Sequence, residues 1–316
     1  MLQARSVGQI ISDSADVLRQ NFWLFTIAVF PFCVVEFFLR EGISLLTAKM
    51  MTLLDPEKIE VSGEVPFDAL LNGAAVLPSL LACELVIYTL ISAISIVGSA
   101  RLYQELKTTR LHLWSGALNR LVPIIFTTLI VAVVMLILVL VPLFFGSGIL
   151  AFLQGSPRLG LGLALGVGFI VTLLVGLLGL WLLLTWSLGT TAIVLEDSGY
   201  IKALKRSAEL LHSRGLRFTE YPKLRLGGLL LLNLIIGSTL QAVFIIPSLI
   251  NGISQNPPMS DMSVLSLSLP VAIVVALGQI LSNAILYPFS AITMTHFYYD
   301  LRIRFEGFDS EDLRAS

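Results

Sequence analysis

Residues 122–150 read VPIIFTTLIVAVVMLILVLVPLFFGSGIL, a run of 29 residues without a charge. A helix needs about 20 apolar residues to cross the ~30 Å hydrocarbon core of a bilayer. Working outward, comparable stretches cover Phe22–Thr47, Ala74–Ala100, Leu163–Leu195, Leu226–Ile250 and Leu269–Tyr299. With Val122–Leu150 they make six spans. Helices satisfy their own backbone groups where no water can, so the fold expected is an all-α integral membrane protein with six transmembrane helices.

Composition points the same way. Hydrophobic residues make up 56% of the 316 residues and charged residues 13%, whereas a soluble domain carries about 25% charged. The longest gaps between spans are about 30 residues, too short for a soluble catalytic domain of ordinary size. Residues 1–316 therefore read as a single membrane domain. The net charge of −1 offers no attraction to nucleic acid. Cys33 and Cys83 both lie in apolar segments toward the same side. There a free thiol behaves as a small hydrophobe, and a disulfide is the alternative. The 21 residues before Phe22 hold Asp13 and Asp16 as well as Arg5 and Arg19. A cleaved signal peptide starts short and basic, so the first span is expected to be retained.

Lys and Arg are distributed unevenly. Sixteen fall before the first span, in the second and fourth gaps and after the sixth span, and four (Arg40, Lys49, Lys58 and Arg158) fall on the other side. The positive-inside rule then puts both termini in the cytoplasm of a cell membrane. It leaves the gap from Glu41 to Asp68 and the cation-free gap Gly252–Ser268 outside.

Three cytoplasmic segments carry 3.6-residue stripes and are expected to be amphipathic helices lying at the interface. In the first, Val7, Ile10, Ile11, Ser14 and Leu18 share a face. In the second, the stripe is Trp114, Ala117, Leu118 and Leu121, and in the third Ile201, Leu204, Ala208 and Leu211. Odd-numbered spans carry Pro31, Pro142 and Pro247, each after two apolar residues. Even-numbered spans end in Ala100, Ala192 or Thr295, each with an acid five positions later. This patterning is that of three parallel hairpin repeats, 1–105, 106–197 and 198–309. The alternative is the ordinary frequency of proline and small residues in membrane helices.

Ionisable groups inside a membrane are costly and hence suspect. Glu36 and Arg40 are four apart, so they share a helix face, and Glu84 lies at a similar outer depth. Together they form a candidate outer polar cluster: either a binding or proton site, or an ion pair that fixes the first hairpin. Gln279, Ser282 and Asn283 share a face of the sixth span, with Asn233 and Gln241 on the fifth. Helix packing through interhelical hydrogen bonds is the common use of such residues. Lys202, Lys205, Arg206, Arg302 and Arg304 form a candidate cytoplasmic interface for anionic lipid or an acidic partner. His112, His212 and His296 are not at metal-ligand spacing. No phosphate-loop, nucleophile-elbow, zinc-protease or dinucleotide motif occurs. No catalytic, cofactor or metal residue is assigned, and a non-enzyme is expected.

The closing string Phe297-Tyr298-Tyr299-Asp300-Leu301-Arg302-Ile303-Arg304-Phe305-Glu306-Gly307-Phe308-Asp309 resembles that of a prokaryotic multipass membrane family. That family is related to the membrane domain of glycerophosphoryl diester phosphodiesterases. Val7–Trp23, with Asn21-Phe22-Trp23, is similar to it as well. So is Ile193–Leu211, where Leu195-Glu196-Asp197 precedes Ala203-Leu204-Lys205-Arg206-Ser207. The resemblance implies six membrane helices and both termini inside. It implies no catalytic residue, since the phosphodiesterase activity belongs to a separate soluble barrel and most stand-alone members have no assigned activity. Read physically, Tyr298 and Tyr299 suit an aromatic belt at headgroup level, Arg302 and Arg304 the cytoplasmic surface, and Gly307 a left-handed helix cap.

Two functions follow as expectations, a scaffold as the primary reading and a transporter or lipid-handling protein as the alternative. Few embedded charges, small loops and basic interfacial helices favour a scaffold or assembly subunit that holds other membrane proteins in the bilayer. Proline-broken helices and the repeat pattern favour a transporter or lipid-handling protein.

Overall fold

The computed structural model describes residues 5–53, 67–104, 106–153, 160–212, 221–255 and 269–307. Much of the acidic gap after Glu41 and most of the gap Gly252–Ser268 lie outside the described residues. So do Lys58, Arg158 and Glu105. Every regular element among the described residues is helical. In chain order these are α1 (Val7–Gln20), α2 (Phe22–Leu53), α3 (Phe67–Tyr103), α4 (Arg110–Asn119), α5 (Leu121–Leu153), α6 (Gly160–Trp186), α7 (Gly189–Glu196), α8 (Tyr200–His212), α9 (Pro222–Gln255) and α10 (Leu269–Glu306). Six spans are long and apolar enough to cross a membrane: α2, α3, α5, α6 continuing into α7, α9 and α10. The protein is an all-α multipass membrane protein.

Local chemistry sets the helix ends. Ser6 accepts from the Gln9 backbone N–H while the Gln9 side chain accepts from Ser6 N–H, a reciprocal capping box that starts α1. Gly307 takes φ +65° and closes α10 in the left-handed region. Pro31, Pro78 and Pro288 sit inside α2, α3 and α10, which continue through them.

The hairpins α2–α3, α5–α6 and α9–α10 pack along their lengths, and α10 also packs against α1, α2 and α3. The centre of the bundle is therefore α2, α3 and α10, with α5, α6 and α9 outside it. Of the most apolar turns, 39% of residues are buried in α2 and α3, but 6% in α6. Burial is also uneven along the helices. Nearly every residue from Ile91 to Ala100 on α3 and from Phe289 to Leu301 on α10 is buried, while Val76 and Leu81 are exposed. The short helices α1, α4, α7 and α8 wrap this packed end. The α3 backbone and side chains of α2 come close there. A Cβ on Gly98 would lie 2.6 Å from the Phe25 ring.

Four sequence expectations shift in detail. The fourth span does not run unbroken to Leu195, because the helix stops after Trp186 and restarts at Gly189. Ser207 of α8 holds the break: its hydroxyl donates to Thr185 O (2.7 Å) and accepts from Leu188 N–H (3.2 Å). In α1, Ile10, Ser14 and Leu18 face inward as the stripe predicts. In α4 the inward residues are Leu113 and Ala117, while Trp114 and Leu118 are exposed. In α8 the inward face is Ala203, Leu204, Ser207, Leu210 and Leu211, and Ile201 points out. Finally, Tyr298 and Tyr299 do not form a headgroup belt. Both are buried, Tyr298 with its hydroxyl on Glu196 and Tyr299 stacked 4.4 Å from Tyr103. Partners inside the protein hold these rings where the sequence pattern pointed to lipid.

Candidate functional site

A cavity of about 470 Å³ opens where α3, α5, α6, α7 and α10 meet, within the size range of small-molecule sites. Half of its lining side chains carry hydroxyls, including Tyr88, Thr89, Ser92, Thr127, Thr128, Ser187, Tyr287 and Ser290. The rest are apolar, and no charged residue lines it. Four of the hydroxyl protons are spent on backbone carbonyls one turn back. Thr89 donates to Val86 O (2.8 Å), Thr127 to Pro123 O (2.9 Å), Thr128 to Ile124 O (2.9 Å) and Ser187 to Leu184 O (2.9 Å). Such back-bonding is the cheapest way to carry a hydroxyl in an apolar helix. It leaves oxygen lone pairs to accept from a guest.

Tyr287 joins this cavity to a strongly polar cluster of the spanning helices. Its ring lines the cavity and its hydroxyl donates to Glu36 Oε1. Arg40 Nη2 donates to the same oxygen at 2.9 Å, and Arg40 Nε lies 3.7 Å from Glu84 Oε1. The Glu36 side chain is 1% exposed, and its Oε2 has no hydrogen-bond partner among the described residues. Tyr88 meets the Tyr287 ring edge-on at 5.7 Å. A neutral cavity thus has, one tyrosine away, a buried carboxylate paired with an exposed guanidinium.

The packed end is tied by two ionic hubs. Asp300 accepts from the Arg5 backbone N–H (2.7 Å), Arg225 Nη1 (2.8 Å) and Arg304 Nε (2.8 Å). Arg225 Nη2 and Arg304 Nη2 both donate to the Arg5 carbonyl at 2.7 Å. The second hub is Glu196 with Glu306. Arg206 Nε lies 3.0 Å from Glu196 and Arg206 Nη1 2.6 Å from Glu306, and Arg302 Nε lies 3.1 Å from Glu306. Burial lowers the pKa of the Arg206 guanidinium, but the Glu306 and Glu196 carboxylates outweigh it and the pKa is raised.

A family profile matches residues 6–301 of the chain. The chain belongs to this family. It is described as a domain of unknown function, DUF7847. The match takes in every cavity-lining residue, Glu36, Arg40, Glu84 and Asp300. No curated protein and no solved structure matches the chain.

In this DUF7847 protein the residues singled out from sequence fall into three groups. Glu36, Arg40 and Glu84 come together. On α10, Asn283 Oδ1 accepts from Gln241 Nε2 of α9 at 3.2 Å, while Gln279 is half-buried and the Ser282 hydroxyl is buried with no partner among the described residues. The basic set divides. Lys202 and Lys205 are exposed, whereas Arg206, Arg302 and Arg304 are turned into the two hubs. Those three are not a free basic surface, because carboxylates of α7 and α10 already neutralise them. Cys33 is buried, Cys83 exposed, and both are free. Sequence reading missed Tyr287 and the Arg225–Asp300 pair. An acid inside the apolar string around Phe297–Leu301 was the available signal for the pair. Tyr287 had none, because its role depends on a residue 251 positions away.

Proposed function

We propose that this protein handles an uncharged amphiphile or lipid-like molecule within the bilayer, with the hydroxyl-lined cavity as its site. The observation that carries this is the cavity itself: set among membrane-spanning helices, without a charged lining residue, and with a hydroxyl on half of its lining residues. It supports the transporter or lipid-handling reading over the scaffold reading, which rested on the scarcity of embedded charge, the small loops and the basic interfacial helices. A neutral guest needs no charged residue. The chain would sit in a prokaryotic cell membrane with the packed end and both termini cytoplasmic, the side its Lys and Arg favour. Kinship with the membrane domain of the phosphodiesterases is part of the same proposal, carried by the closing string. No catalytic step is assigned.

The test is reconstitution of the full chain into liposomes loaded with a fluorescent monoacylglycerol. The wild-type protein is expected to speed its movement between leaflets in a saturable way. Ser290→Trp, which fills the cavity from a half-buried position, is expected to reduce the rate at least about tenfold without unfolding the protein, a block worth roughly 1.4 kcal/mol. Movement no faster than in protein-free liposomes would overturn the reading.

One observation favours the second reading, a scaffold for other membrane proteins. Few residues in the apolar turns of α6 are fully buried by the rest of the chain, and Leu173, Leu174 and Leu177 are exposed, a face that lipid or a partner helix fills. A stoichiometric partner in mild detergent, together with absent flux, would assign the scaffold function.

A further inference from the structure

A second recess lies between α1, α9 and α10, and it shares no lining residue with the hydroxyl-lined cavity. It encloses about 510 Å³ and its walls are almost entirely apolar: Leu18 of α1, Phe22 at the start of α2, Ile236 and Leu240 of α9, and Ile285 of α10. Arg19 is its one charged lining residue. This guanidinium is exposed and has no ion pair or hydrogen bond among the described residues, unlike Arg206, Arg225, Arg302 and Arg304.

The position of Arg19 in the fold gives the recess a polarity. Trp23, 72% exposed, stands four residues further on, where α2 begins. An exposed tryptophan at the start of a membrane helix marks the headgroup level. The apolar walls run deeper from there. Ile236 and Leu240 lie roughly 16 and 22 Å along α9 from Arg225 at the packed end, at 1.5 Å per residue. The recess therefore has a cation at headgroup level and a hydrocarbon-lined slot beneath it.

We propose that this recess binds an anionic phospholipid of the leaflet on the packed-end side, with its phosphate on Arg19 and one acyl chain between α9 and α10. A guanidinium forks onto phosphate oxygens with two parallel hydrogen bonds. The slot removes an acyl chain from competition with bulk lipid only if the headgroup is held, and Arg19 supplies that hold. The free cation above an apolar slot is what selects a lipid anion over a soluble one.

The full chain, purified in mild detergent, is mixed with phosphatidylglycerol or with phosphatidylcholine of identical chains, and retained lipid is counted by native mass spectrometry. The expected result is one phosphatidylglycerol per chain, preferred about fivefold, the preference one interfacial arginine gives. Arg19→Gln is expected to abolish the preference and Arg19→Lys to keep most of it. Leu240→Trp, which fills the slot, is expected to lower retention of both lipids. If that variant fails to fold, the exposed Arg19→Gln carries the test alone. Equal retention of the two lipids by wild type, or an unchanged preference in Arg19→Gln, would overturn the proposal. So would displacement of the lipid by millimolar inorganic phosphate, the mark of a free-anion site. A dimer that Leu240→Trp dissolves would give the recess to a second copy, which also overturns it.

Discussion

At the residue scale, Asp300 ties the start of α1 and of α9 to α10. Its side chain is 1% exposed and Arg225 is 6% exposed, so each charge needs partners inside the protein, and the two supply one another. Removing one partner of a buried pair leaves an uncompensated charge and typically costs about 3–5 kcal/mol. Asp300→Asn is therefore expected to lower the thermal unfolding midpoint sharply in detergent. Adding Arg225→Gln is expected to restore part of the loss, the non-additivity of residues in direct contact. Equal melting of Asp300→Asn and wild type would show that the hub is not holding α1, α9 and α10 together. The pairing of Glu36 with Arg40 was legible in the sequence because four-residue spacing places both on one helix face. The convergence of Glu84 depended on a common depth, which span boundaries also give. Asp300 was quoted in the closing string but read as part of a surface anchor. What buries it is the Arg5 main chain and the Arg225 side chain, and neither has a fixed sequence distance from it.

At the scale of elements, the fourth span shows where periodicity stops being informative. The run from Leu163 to Leu195 has the length and composition of one span, and the small and hydroxyl residues Thr185, Ser187, Gly189, Thr190 and Thr191 at the break are common enough in membrane helices to give no clear sign of it. The break exists because Ser207 arrives from α8 to take the Leu188 N–H and to supply a proton to the Thr185 carbonyl. Ser207→Ala leaves a buried backbone donor without a partner, at a cost of about 1–3 kcal/mol. Ser187→Ala is the matched control. Ser187 also lies in the break, but its hydroxyl reaches only the Leu184 carbonyl at the end of the preceding helix, so its loss is expected to stay within about 0.5 kcal/mol. Denaturation of both variants in detergent reads the difference, and similar losses would assign the break to something other than Ser207. The stripes of the short helices followed the same logic. That of α1 was legible because one core covers it. Those of α4 and α8 were rotated, because each touches protein on one flank and leaves apolar residues such as Leu118 and Ile201 exposed on the other.

At the scale of the whole molecule, the six spans were legible because the bilayer imposes a length and a composition that few other folds need. The cavity was not, since threonine and serine along a membrane helix look alike whether they bond to their own backbone or face a guest. The proposed orientation has a direct check. Single cysteines placed near Glu60 and Pro257 are expected to react with an impermeant thiol reagent added outside intact cells, and one near Lys205 is expected to stay unlabelled. The reverse pattern would turn the packed end outward. The contact between the Arg5 main chain and Asp300 also bears on how the protein is made. The two residues are 295 positions apart, so a ribosome adding roughly 5–20 residues per second reaches the second long after the first. Until then α1 has no acid to dock on, and the guanidinium of Arg225 waits at the start of its helix without its counter-charge. The packed end can close only once the last span has been delivered, so a nascent chain halted before residue 300 holds five inserted helices and an unsealed bundle. Quality-control proteases that read unpaired polar groups in the membrane would have a clear mark by which to tell the unfinished chain from the finished one.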